Sequence, residues 1–268
     1  MTTPTVTFAA LGGWSRHVHI EQVWGTVVTF DVRAAEDPQD AGGFGPAAAL
    51  AVAEAVEFLH DVDAWFSTYR VDTPVTALRN GLLDMDDMPP VVQGVLDDCW
   101  RLRVLTEGVF DPWSVPGGVD PSGYVKGWAA DVAADIVVDR GFPNVSVNAA
   151  GDVTCRGHQS PDEPWVVGIR HPVHADQIVR TVAAVDEAVA TSGCYERGAH
   201  VHDPRRGVAA VALDSATVVG PDGGMADALA TALLVAGPDG AGWFAELPGW
   251  SAYLVSGDQA TYFGPAFA

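Results

Sequence analysis

Asp227 and Thr231 stand four residues apart in the run Met225-Ala226-Asp227-Ala228-Leu229-Ala230-Thr231-Ala232-Leu233. On a helix that spacing puts the carboxylate and the hydroxyl almost one above the other on a single face. Two hard oxygen donors on a rigid face suit Mg²⁺, which takes few protein oxygens and keeps positions for phosphate or water. The loop Gly220-Pro221-Asp222-Gly223-Gly224 precedes them and places both near the helix start. An Asp in a first turn is also what the helix dipole favours without any metal. The segment alone leaves both readings open.

Four other clusters of polar residues fall in turns. Phe110-Asp111-Pro112-Trp113 is followed by Asp120-Pro121-Ser122-Gly123-Tyr124-Val125-Lys126-Gly127-Trp128, where a loop opens a helix. Lys126 is expected in that helix's first turn, where the dipole disfavours a cation unless an anion sits nearby, which hints at phosphate. An ordinary Asp-Pro turn with a solvated Lys explains the same residues. Asn148-Ala149-Ala150-Gly151-Asp152 reads as a turn between two short strands. Thr191 and Ser192, before Gly193, offer hydroxyls and N–H groups to an anion, or form a Ser/Thr turn. In His200-Val201-His202-Asp203-Pro204 both His side chains share one face of a strand, so an HxH metal site is one reading. A general base beside a phosphate site is the other. His17, His19, His60, His158, His171 and His174 have no comparable sequence neighbours.

These residues need elements to position them. Gln22 to Arg33 alternates and reads as a strand. Pro46 to Tyr69 reads as a long helix, with Leu50, Ala53, Val56, Leu59 and Trp65 roughly in one stripe. Further helices are expected from Pro90 to Thr106, from Lys126 to Gly141, from Met225 to Ala236 and from Gly240 to Glu246. Strands are expected at Val145–Val147, Val153–Cys155, Trp165–Arg170, Ile178–Val185, Ala188–Ala190, Val208–Val219 and Ala252–Val255. Runs of strands beside segregated helices predict an α+β fold, mainly an antiparallel sheet core with flanking helices. Without repeats or low-complexity linkers, residues 1–268 are expected to form one two-lobed unit.

Composition narrows the partners. The chain has 268 residues, 48% of them hydrophobic, enough for a sizeable core. Its net charge of −21, with 14 basic residues, argues against nucleic-acid binding, which depends on cations neutralising phosphates. A phosphate-bearing ligand must then be held by a metal, backbone N–H groups and few cations. Cys99, Cys155 and Cys194 are widely spaced and lack CxxC pairing, which suggests neither zinc nor a disulfide framework and fits a reducing compartment. The first residues show no signal-peptide pattern, and no apolar run reaches the ~18 residues of a membrane span. A cytoplasmic protein without a membrane anchor is expected.

Taken in order, the motifs resemble the ApbE family of FAD:protein FMN transferases. Ala226–Leu233 matches the family's ADALATAL signature, Asn148–Asp152 its NAGGD turn, and Ala190-Thr191-Ser192-Gly193 its ATSG. His200–Pro204 resembles HIIDP, and Trp24-Gly25-Thr26 the family's MGT. The resemblance implies transfer of FMN from FAD to a Ser or Thr of an acceptor protein bearing an FMN-binding domain, with release of AMP. It implies that Asp227, Thr231 and the Gly123 carbonyl bind Mg²⁺ and that His200 is the base. Trp24, Tyr69, Phe110, Asp111, Asp120, Lys126, Asn148, Asp152, Thr191 and Ser192 would bind FAD. Three departures stand out: Trp24 for Met, Ala150 for Gly, and a short link between Asp111 and Asp120. Two alternatives remain: an Mg²⁺-dependent FAD pyrophosphatase giving FMN and AMP, which would use the same metal and FAD-binding residues, and a non-catalytic flavin-binding protein, which leaves Asp227, Thr231 and His200 without a task.

Overall fold

The computed structural model describes residues 6–11, 14–35, 43–174, 176–193, 202–204, 207–209 and 213–268. Its centre is a nine-stranded sheet with the order β1-β2-β3-β4-β5-β8-β11-β12-β13. The strands are β1 (Val6–Leu11), β2 (Trp14–Val23), β3 (Thr26–Ala35), β4 (Asn144–Ala149), β5 (Asp152–Arg156), β8 (Ala188–Gly193), β11 (Ser215–Gly220), β12 (Ser251–Ser256) and β13 (Gln259–Phe263). Every neighbouring pair is antiparallel. Strands β6 (Trp165–Arg170) and β7 (Ile178–Ala184) form a separate hairpin, as do β9 (His202–Asp203) and β10 (Val208–Ala209).

Helices α1 (Phe44–Phe66), α2 (Pro74–Arg79), α3 (Pro90–Leu105), α4 (Ser122–Asp139) and α5 (Gly223–Ala236) supply most of the main core with one face of the sheet. α1 buries Ala48, Ala51, Val52, Ala55, Leu59, Val62 and Phe66, a stripe at helical spacing. α5 is buried almost all round, as expected of a helix enclosed by α3, α4 and the sheet. On the other face, Trp165, Ile169, Val182 and Ala184 of the β6–β7 hairpin pack with Val153, Cys155, Val189, Val219 and Phe267 in a smaller core. No helix among the described residues is long and apolar enough to cross a membrane.

The predicted α+β class and antiparallel sheet are present, with several different boundaries. The expected strand from Gln22 to Arg33 is two strands, β2 and β3, joined by the turn Trp24-Gly25. That turn has φ of +58° and +71°, the left-handed pair a two-residue hairpin demands. Val208–Val219 divides into β10 and β11. Gly240–Glu246 is no α-helix; 3-10 turns occupy Pro238–Gly240 and Phe244–Glu246. β1, α2 and β13 add to the expected elements. α4 begins at Ser122, so Lys126 lies beyond its first turn, and the dipole argument for a bound anion falls.

Candidate active site

The site forms where α4 crosses α5 beneath β5 and β8. Glycine makes that crossing close: a Cβ on Gly127 would lie 1.9 Å from the Gly223 carbonyl oxygen and 3.1 Å from Asp227 Cβ. No other residue type fits without separating the helices. The approach brings Lys126 Nζ to 2.7 Å from Asp227 Oδ2 and 2.8 Å from Asp152 Oδ2. Asp152 stands at the start of β5, and its Oδ1 accepts the Thr191 N–H at 3.2 Å.

Two buried carboxylates therefore face one ammonium. Burial alone would lower the Lys126 ammonium, but Asp152 and Asp227 outweigh it and raise it above the ordinary lysine value. Burial and the neighbouring Asp152 push the Asp227 carboxyl upward, against Lys126 and the Gly127 N–H, which favour its ionised form. With both carboxylates ionised the trio carries one net negative charge, an environment suited to a further cation.

The adjacent hydroxyls of β8 take different partners. Ser192 Oγ lies 3.0 Å from Thr231 Oγ1 on α5, whereas Thr191 Oγ1 lies 2.9 Å from Thr217 Oγ1 across the β8–β11 ladder. Alternation along a strand sends successive side chains to opposite faces, so only Ser192 meets α5.

A cleft of about 500 Å³ opens beside this cluster. Tyr69, Phe110, Asp111, Asp120, Gly123, Lys126, Asp152, Thr191, Ser192, Asp227 and Thr231, all singled out in the sequence, line it. Tyr69 stands 88% exposed at the rim. Asp111 is held by Arg103 Nε at 2.8 Å, Ser114 Oγ at 2.8 Å and the Trp113 N–H at 3.0 Å. Burial would raise its carboxyl, but these donors hold it below the usual range. Asp120 Oδ1 accepts the Ser122 N–H at 3.0 Å at the start of α4.

Two predicted flavin contacts lie elsewhere. Trp24 lines a separate depression with His60 and Asp63, and its indole N–H donates to the Leu59 carbonyl at 3.2 Å. Asn148 Oδ1 accepts the Gly151 N–H at 2.9 Å, closing the β4–β5 turn. Ala150 in that turn has φ +57°, so the departure from Gly is accommodated in the left-handed region. His200 lies outside the described residues, as does Cys194.

Sequence reading missed Val109, Ser114, Val115 and Pro116 in the cleft wall, and gave no site role to Ala150 and Pro204, which also line it. It also missed a junction outside the cleft wall, where Glu21 meets His19 and His60, each at 3.2 Å. The period-2 spacing of His19 and Glu21 on β2 was the available signal.

The sequence model of the ApbE family matches residues 114–254. The chain is 32% identical to the FAD:protein FMN transferase of Escherichia coli K12 over 162 residues, 56% of this chain and 46% of that protein. It is 31% identical to the protein of that name from Rhodobacter capsulatus over 212 residues, 75% of this chain and 38% of the relative. The matched part thus spans less than half of each relative. In structure the chain is similar to the apo form of Pseudomonas stutzeri flavinyl transferase ApbE, with a TM-score of 0.79, 23% identity and 97% of each chain covered. At that identity the likeness speaks for the fold.

Proposed function

Because this chain belongs to the ApbE family, we propose that it moves the FMN half of FAD onto a Ser or Thr hydroxyl of an acceptor protein and releases AMP. The observation that carries the reading is the convergence of Lys126, Asp152, Asp227, Ser192 and Thr231 beside the cleft.

The donor set fits Mg²⁺. Asp227 and Thr231 offer a carboxylate and a hydroxyl, and a Cβ on Gly123 would come within 3.3 Å of Thr231 Oγ1, so glycine there leaves that hydroxyl uncovered. The Gly127 N–H that favours ionised Asp227 is the donor a regular helix sends to the Gly123 carbonyl. Competition for it leaves the Gly123 oxygen more available as a third ligand. Hard oxygens with few charges match a cation that retains open positions for phosphate. When bound, Mg²⁺ neutralises charge on the diphosphate and on the departing AMP.

The chain's own groups perform the remaining work. Lys126 holds the two carboxylates in place before the nucleotide binds and offers a cation to phosphate oxygens. Phe110, Asp111 and Asp120 shape the cleft for FAD, with Tyr69 at its mouth. The acceptor oxygen forms a bond to the FMN phosphorus as the bond to the AMP oxygen breaks. His200 accepts the hydroxyl proton, the role its motif gives it. A positioned base contributes ~10²–10⁴-fold in rate.

FAD cleavage, followed as AMP release with and without an acceptor domain, tests the reading. Release that depends on Mg²⁺ and on the acceptor is expected. Equal AMP and free FMN in both arms would instead identify a pyrophosphatase, with water as nucleophile. Substituting His200→Ala should leave FAD binding intact and stop protein modification; normal transfer by that variant would remove His200 from the mechanism.

A further inference from the structure

We propose that Asp131 is a positioning residue: it ties the α5 N-terminus to β5 so that Asp227 and Asp152 both reach Lys126, and thereby sets the affinity for the divalent cation. The inference rests on the metal role proposed above for Asp227 and Thr231.

Asp131 lies one turn beyond Gly127 and two beyond Gly123, so the three share the face of α4 turned to α5. Gly123 lies against Thr231, Gly127 against Asp227 Cβ and the Gly223 carbonyl, and Asp131 against the Gly223 N–H. Asp131 Oδ2 accepts that N–H at 2.5 Å, and Oδ1 accepts the Thr154 hydroxyl at 2.6 Å. Arg156 Nη2 stands 3.4 Å from Oδ1.

The partners locate the consequence. Gly223 is one helical turn before Asp227 on α5. Thr154 is two residues after Asp152 on β5, so both side chains leave the same face of that strand. One carboxylate therefore bonds the two elements that carry the two acids of the site, close to each acid. Asp222 Oδ1 caps α5 through the Met225 N–H at 2.6 Å, and Asp131 takes the Gly223 N–H that this cap leaves open. Capping the Gly223 N–H accounts for Oδ2 alone; the Thr154 hydroxyl bond to Oδ1 is what joins α5 to β5.

The test compares wild type, Asp131→Ala, Asp131→Asn and Thr154→Val by titration with Mn²⁺ alone, read by electron paramagnetic resonance, alongside amide exchange at Gly223. Asp131→Ala should weaken Mn²⁺ binding about tenfold or more and speed Gly223 exchange. Asp131→Asn, which retains an acceptor for the Gly223 N–H, should recover most of the affinity. Thr154→Val, which removes only the β5 arm, should fall between, and it keeps the question open to decision if Asp131→Ala fails to fold. Unchanged Mn²⁺ affinity in the folded variants would overturn the proposal, as would a loss confined to the fraction of folded protein. No Mn²⁺ binding by wild type would remove the metal assignment and this inference with it. Failure of FAD transfer with Mn²⁺ binding intact would count against the transferase reading and leave the Asp131 result decisive.

Discussion

Two hairpin turns, Trp24-Gly25 between β2 and β3 and Ala150-Gly151 between β4 and β5, solve the same backbone problem in different surroundings. Each puts a non-glycine residue at positive φ, 58° for Trp24 and 57° for Ala150, followed by a glycine. Such a conformation costs an L-residue ~1–2 kcal/mol. At the first turn the Trp24 indole packs on the core and donates to the Leu59 carbonyl, which offsets the strain. At the second, Ala150 has only a methyl group, but it forms cleft wall beside Asp152. The contrast extends to the polar groups nearby. Lys126 bonds to both Asp152 and Asp227, whereas His17 on β2 is buried with no partner for either ring nitrogen among the described residues. The cleft end pairs its buried charges, and the β2–β3 end leaves a buried imidazole among apolar packing.

If that division is right, substitutions at the two ends separate activity from stability. The largest effect is expected for Asp227→Asn, which should reduce FAD cleavage by about 10³-fold or more, on the scale of losing a metal's contribution to catalysis. Its melting temperature should stay level or rise, because Lys126 keeps Asp152 while the repulsion between two buried carboxylates is relieved. A variant that lost stability and kept its rate would reverse the comparison. Trp24→Ala should show the opposite pattern, losing roughly 2–3 kcal/mol of stability through packing, with KM for FAD unchanged. A raised KM would return Trp24 to the flavin site.

His17 gives the β2–β3 end a pH signature. Burial, with the neighbouring His19, lowers its imidazole below the ordinary value. The unfolded chain then binds a proton at about pH 6.5 that the folded chain refuses, so stability is full above that pH and declines as pH falls below it. Its share of the slope is at most ~1.4 kcal/mol per pH unit. Chemical denaturation between pH 7.5 and 5.5 should show a flatter profile for His17→Leu than for wild type; parallel profiles would deny the role. The smallest effect belongs to Ala150→Gly, which should stabilise by about 1 kcal/mol by removing left-handed strain. Denaturation midpoints check it, and a destabilised variant would mean that the methyl's packing outweighs the strain.

Legibility from sequence followed the range of the interactions. α3 announced itself by Pro90 at its start and Gly108 beyond its end, and α5 by its apolar run after a Gly-rich loop. Trp24-Gly25 lacks the Asn-Gly or Asp-Gly signal of a hairpin, so two strands read as one. The start of α4 at Ser122, four residues before Lys126, is marked by Pro121 at its N-cap. Asp227 and Thr231 were legible because one helical turn links them. The meeting of Asp227 with Lys126 spans 101 residues and depends on the glycine crossing of α4 and α5, which no local pattern encodes. Most of the motif residues line the cleft, while Trp24 bonds to α1 and Asn148 closes its own turn, both outside the cleft wall.

The most direct test of the central claim is the intact mass of an acceptor protein with an FMN-binding domain after incubation with this protein, FAD and Mg²⁺. A mass gain of one FMN less one water on a single Ser or Thr, with one AMP released per modified acceptor, is the predicted result. AMP and free FMN appearing beside an unmodified acceptor, or FAD left intact, would contradict it.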